Sequence, residues 1–145
     1  MLTTRRTTLA RAAGLALAAT LGAARANPAP AEPDPKGYEA AAAMKRLAES
    51  WGDQPYGAVL VLAGEIVGNG PSRVVKNQDP TAHAEREAIR DAQRRLGRKE
   101  IPGAVLYSTS RPCGACEAAA AEARVSRMIF GPRLNDAGAP RAARD

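Results

Sequence analysis

Ala58-Val59-Leu60-Val61-Leu62-Ala63-Gly64-Glu65-Ile66-Val67-Gly68 is the segment on which the architecture turns. Residues 58–62 are a short apolar run rich in strand formers, Ala63-Gly64-Glu65 is a tight-turn signal, and 66–68 resume the apolar run. The pattern predicts two strands joined as a hairpin. Upstream, Tyr38, Ala41, Met44, Leu47 or Ala48, and Trp51 recur at helical spacing with charges between them. Gly52-Asp53-Gln54-Pro55 ends that helix. Downstream, Asn69-Gly70-Pro71 breaks the second strand and a polar loop runs to Asp79-Pro80. A second helix is expected from Thr81 or Ala82 to Leu96, with Ala84, Ala88, Ile89, Ala92 and Leu96 on its apolar face and Gly97 as its stop. Residues 104–107 read as a third strand, 113–123 as an alanine-rich helix and 127–130 as a fourth strand. The order is helix, hairpin, then strand–helix alternation. It predicts an α/β fold whose sheet carries helices on both faces and an antiparallel edge.

The two ends of the chain read differently from this core. Arg5 and Arg6, then Arg11, precede a weakly apolar run over 12–22 and the small-x-small pattern Ala24-Arg25-Ala26, the layout of a secretory signal. Thr4-Arg5-Arg6-Thr7-Thr8-Leu9 also resembles a twin-arginine signal, with Thr8 where Phe is often found. The apolar run is about half the ~20 residues a spanning helix needs, so no stable membrane span is expected. Residues 1–26 are therefore assigned to a signal peptide and a periplasmic or secreted destination. Residues 27–36, Asn-Pro-Ala-Pro-Ala-Glu-Pro-Asp-Pro-Lys, are assigned to a proline-rich linker. The folded domain is expected over 37–133, with a flexible tail over 134–145. The leader holds four arginines and no acid, so the formal net charge falls from +6 for the whole chain to +2 for residues 27–145. That small excess gives little support for a nucleic-acid partner.

His83 is the sole histidine, and Cys113 and Cys116 are the sole cysteines. Pro112 suits the entrance to a helix, which would bring both sulfurs to its first turn at i and i+3. The exposed N–H groups of that turn favour the thiolate form. His83 also stands at a predicted helix start, after Asp79-Pro80-Thr81. Two thiolates and an imidazole leave one tetrahedral position open, the catalytic pattern for zinc, and no further Cys or His exists to close the site as a structural one. Zinc in such a site lowers the pKa of water to roughly 7. Glu85, two residues beyond His83, is then the natural proton shuttle.

His83-Ala84-Glu85 followed by Pro112-Cys113-Gly114-Ala115-Cys116 resembles the H-x-E…P-C-x-x-C signature of zinc nucleobase deaminases, the cytidine deaminase-like superfamily. The run Asp79-Pro80-Thr81-Ala82-His83-Ala84-Glu85 is similar to that of bacterial guanine deaminases and tRNA adenosine deaminases, and the likeness extends from about Pro55 to Gly131. It implies a three-layer α/β/α domain with a mixed sheet, shortened at its C-terminus relative to those families. It also implies zinc as cofactor, held by His83, Cys113 and Cys116, and hydrolytic deamination with Glu85 moving the proton. Where purine-acting members carry a base-contacting Asn, this chain has Ser72, with Asn69 nearby; both, and Ala84, are assigned to substrate binding. The implied partner is a small nucleobase or nucleoside, a purine such as guanine first, and a homodimer is implied as well.

Three rival readings remain at this level. A periplasmic C-x-x-C redox protein accounts for the cysteines but leaves His83 and Glu85 idle. A tRNA-editing enzyme would use the i, i+4 stripe Arg86, Arg90, Arg94 and Arg98, which as a pattern also describes an ordinary solvated face. A non-catalytic zinc-containing binding protein is the third.

Overall fold

The computed structural model describes residues 31–144. Chain contacts divide the molecule into residues 1–31 and 32–145, and all the elements below belong to the second unit. The signal assigned to 1–26, and residues 27–30 of the linker, lie outside the described residues.

The elements run α1 (Pro35–Ser50), β1 (Gly57–Leu62), β2 (Glu65–Pro71), α2 (Ala84–Leu96), β3 (Val105–Ser108), α3 (Gly114–Glu122), β4 (Arg127–Phe130) and β5 (Asn135–Gly138). The hairpin, the three helices and the β3–α3–β4 alternation are as the sequence predicts. The sheet has the order β2-β1-β3-β4-β5. It is antiparallel at β1–β2, β1–β3 and β4–β5 and parallel at β3–β4, where α3 supplies the crossover. Alternation along the strands sorts the core into two layers. Ala58, Leu60, Leu106 and Met128 pack with Ala84, Ala88 and Ala92 of α2 and Ala120 of α3. Val59, Tyr107 and Ile129 face the other way, onto Ala41 and Met44 of α1. The three-layer mixed α/β/α domain is therefore present.

Two boundaries need correction. The last residues assigned to the linker are helical: Asp34 caps α1 by accepting from the Lys36 amide at 2.9 Å, Pro35 takes the first turn, and the Tyr107 hydroxyl accepts from the Asp34 amide at 3.0 Å. The expected tail from 134 begins instead with β5. It pairs along β4 and is fastened by the Arg127 guanidinium, which donates to Asp136 at 2.6 and 3.0 Å.

Close approach of α2 to β2 sets the position of the site. A Cβ on Gly70 would collide with the Ala84 carbonyl and the Ala88 amide, and one on Gly68 with the Ala88 carbonyl. Bare backbone at both positions lets the start of α2 lie directly on the sheet. The helix starts at Ala84, two or three residues later than expected. Asp79 caps its own turn, accepting from the amide and hydroxyl of Thr81 at 2.8 and 2.7 Å, rather than the helix. Gly97 ends α2 in the left-handed conformation with φ 64°, as predicted.

Candidate metal centre and adjoining cavity

The starts of α2 and α3 converge beyond the C-terminal end of β3. His83 is the N-cap of α2 with extended backbone and no side-chain capping bond, so its ring is free to turn across the gap. Cys113 is the N-cap of α3, its Sγ accepting from the Cys116 amide at 3.4 Å, and Cys116 sits one turn along. His83 Nδ1 lies 3.6 Å from Cys113 Sγ and 3.4 Å from Cys116 Sγ, and the two sulfurs are 3.3 Å apart. Both cysteines are free. Tetrahedral ligands at zinc–sulfur and zinc–nitrogen bond lengths stand about 3.5–3.8 Å from one another. The three atoms already hold nearly that spacing, with Nδ1 as the ring nitrogen presented.

The surroundings also suit a cation. Burial pushes the Cys116 thiol well above its ordinary range, and the Glu85 carboxylate and Cys113 beside it add to the rise. At Cys116 this outweighs the favourable helix-terminus setting expected from the sequence. Glu85 is itself buried, at 6% exposure. Burial raises its carboxyl above the usual range, against the opposing pull of its own amide, the Cys116 thiol and His83. A buried carboxyl and two sulfurs are costly to ionise together without positive charge. A dication among them removes that cost, so the donor set and its setting fit zinc.

A cavity of about 440 Å³ opens beside these groups. His83, Ala84 and Glu85 reach it from the start of α2, and Ser110, Arg111 and Cys113 from the β3–α3 segment. Gln54 and Tyr56, which precede β1, complete the lining. Its size falls within the range for small-molecule sites. Of the seven residues proposed from sequence, His83, Glu85, Cys113, Cys116 and Ala84 come together here. Ser72 and Asn69 do not join them. Ser72 is fully buried and its hydroxyl donates to Asp53 Oδ1 at 2.9 Å. Asn69 lies in β2, its amide donating to Asp91 at 2.8 Å, beside a separate groove with Met44 and Leu47. Gln54, Tyr56, Ser110 and Arg111 carried no sequence signal as lining residues.

A family model of the cytidine and deoxycytidylate deaminase zinc-binding region matches residues 32–132. The chain belongs to this family. Among the deaminase relatives, a tRNA-specific adenosine deaminase of Agrobacterium fabrum is 41% identical over 101 residues, covering 70% of this chain and 66% of the relative. A solved structure from a study of A-to-I editing by tRNA:A34 deaminases superposes with a TM-score of 0.64 at 41% identity, covering 66% of this chain and 70% of that one. Guanine deaminase from Bacillus subtilis gives a TM-score of 0.62 at 34% identity, covering 66% and 61%. The chain spans between about half and two thirds of the length of the bacterial tRNA-specific adenosine deaminases it matches.

Proposed function

We propose that the protein is a zinc-dependent hydrolytic deaminase of a small nucleobase or nucleoside, with a purine such as guanine the favoured substrate. The observation that carries this reading is the meeting of His83 Nδ1 with both cysteine sulfurs at 3.4 and 3.6 Å, beside buried Glu85 and a cavity that admits a heterocycle. Zinc bound by His83, Cys113 and Cys116 would supply a Lewis acid that makes water a nucleophile near neutral pH. Glu85 is placed to accept a proton from the attacking water and to deliver it to the departing nitrogen. A C–O bond forms, the C–N bond breaks and ammonia leaves. A redox role for the cysteine pair would give neither His83 nor Glu85 a task.

The names of the relatives favour a second substrate, adenosine in tRNA. The helix-α2 arginines speak for the small molecule. Arg90 donates to Glu87 at 2.7 Å and Arg94 to Asp91 at 3.1 Å, so half of the stripe is already paired with carboxylates. Export to the periplasm or medium belongs to the same proposal, supported by Thr4-Arg5-Arg6 and Ala24-Arg25-Ala26. No helix among the described residues is long and apolar enough to cross a membrane. A homodimer is included on the strength of the family resemblance.

The test is ammonia release from a panel of purine and pyrimidine bases and nucleosides, with a tRNA substrate alongside, comparing the zinc-loaded protein with Glu85→Ala. Release from at least one small substrate, abolished in the variant, supports the proposal. Release from tRNA alone selects the second reading, and release from none refutes both.

A further inference from the structure

We propose that Gln54 reads the polar edge of the heterocycle, and that Asp53 and Ser72 are positioning residues that hold it at the cavity. The inference rests on the deaminase reading above and assigns the specificity contact within it.

Asp53 is a carboxylate only 8% exposed, midway along the α1–β1 connection. Its Oδ1 accepts from the Gln54 amide at 2.8 Å and the Ser72 hydroxyl at 2.9 Å, and its Oδ2 from the Lys76 amide at 2.8 Å. One side chain thus joins the segment before β1 to the loop after β2. The same segment is fixed again at each following residue. The Tyr56 amide donates to the Gln54 carbonyl at 2.8 Å, and the Ser72 amide to the Tyr56 carbonyl at 3.1 Å. Gly57 and Thr109 exchange two bonds, at 2.9 and 3.1 Å. Pro55 sets its own φ. On the far side of the loop, Lys76 Nζ and the Arg73 guanidinium lie 3.8 and 4.9 Å from the Trp51 ring centroid, pinning the loop to the end of α1.

Gln54 therefore has a rigid backbone and an exposed side chain lining the cavity. Among the described residues its carboxamide takes no hydrogen bond. That group offers two donors and an acceptor in one plane, which suits the adjacent donor and acceptor atoms of a purine edge. The other polar lining groups suit the task less well. The Arg111 guanidinium is held over the Phe130 ring at 5.8 Å, and Tyr56 and Ser110 each offer a single hydroxyl. Ser72, the residue first expected to touch the base, supports Gln54 from behind through a shared acceptor, Asp53 Oδ1. A site built on a locked backbone keeps the geometry that discrimination requires.

The experiment uses the full chain loaded with zinc, and reads calorimetric binding of the panel bases separately from steady-state ammonia release. Gln54→Leu is expected to weaken binding of the preferred base at least tenfold and lower its kcat/KM by as much, with zinc content unchanged. Gln54→Glu, which loses the donors and keeps an acceptor, should reorder preference across the panel. Asp53→Asn should raise KM at least fivefold with kcat within twofold, whereas a purely structural role would reduce the active fraction and leave KM alone. If Gln54→Leu binds and turns over within twofold of the unmodified chain, the proposal is overturned and the deaminase reading stands. If the chain binds bases but releases no ammonia, the deaminase reading fails and the Gln54→Leu dissociation constant decides the contact by itself. Absence of binding by every base overturns the proposal.

Discussion

Gly70→Ala is a single added methyl that should disturb the metal centre from the opposite side of α2. At Gly70 the new carbon would meet the Ala84 carbonyl, the Ala88 amide and the Ala88 methyl, and two of those three are helix backbone. No side chain can swing aside, so relief requires α2 to lift from β2. His83 and Glu85 ride on its first turn, and the metal-ligand spacing would open with it. Overpacking of this kind costs about 1–3 kcal/mol. In a domain of this size each 1 kcal/mol lowers Tm by about 4 °C. Gly114 provides the control: it lies between the two cysteines, yet an added Cβ there meets nothing within 4 Å. Gly114→Ala should be neutral or stabilise by up to about 1 kcal/mol, since alanine is the better helix former. The assay is thermal unfolding with and without chelator, together with a competitive zinc titration. Gly70→Ala should lose both stability and zinc affinity, and Gly114→Ala neither. Equal stability and zinc affinity for Gly70→Ala and the unmodified chain would refute the close-approach argument.

Other expectations follow from the same geometry. Glu85→Gln should retain zinc and lose about 10²–10⁴-fold in kcat, the usual worth of a positioned acid–base group; a residual rate within twofold would remove Glu85 from proton transfer. The Arg127 hydrogen bond, joined by the Gly138 amide, holds the Asp136 carboxyl below its ordinary range. The pair therefore stabilises the β4–β5 edge above the unfolded carboxylate pKa of about 3.9 and loses that contribution as pH falls through the lower folded value. Urea unfolding of Asp136→Asn should consequently show a flatter acid limb than the parent, and identical limbs would deny the pair any role. Asp136 is substantially exposed, so the effect should be small and diminished by salt.

What could be read from the chain alone depended on whether the signal was local. The metal triad was legible because the residue types are unique and each lies at a helix entrance marked by its neighbours: Pro112 before Cys113, and the 79–82 turn before His83. The hairpin and α2 were legible through periodicity and through Gly64 and Gly97. β5 was not, because Asn135-Asp136-Ala137-Gly138 has little strand propensity and owes its conformation to β4 and Arg127. The start of α1 was hidden in a proline-rich run, where Asp34 and Pro35 act as cap and first turn. Ser72 gave no sign of being buried, for a deeper reason. Its partner Asp53 is nineteen residues away, and only tertiary contact turns the hydroxyl from the cavity toward that carboxylate. Gln54 and Tyr56 share the limitation, since cavity walls are made by folding and leave no periodic trace.

The central claim is that His83, Cys113 and Cys116 hold one zinc ion, and the most direct measurement is metal content with thiol titration on the purified full chain. The account predicts one zinc per chain, both thiols recovered on denaturation with chelator, and loss of the zinc in Cys116→Ser and in His83→Ala. A metal-free protein whose Cys113 and Cys116 are joined as a disulfide would contradict it.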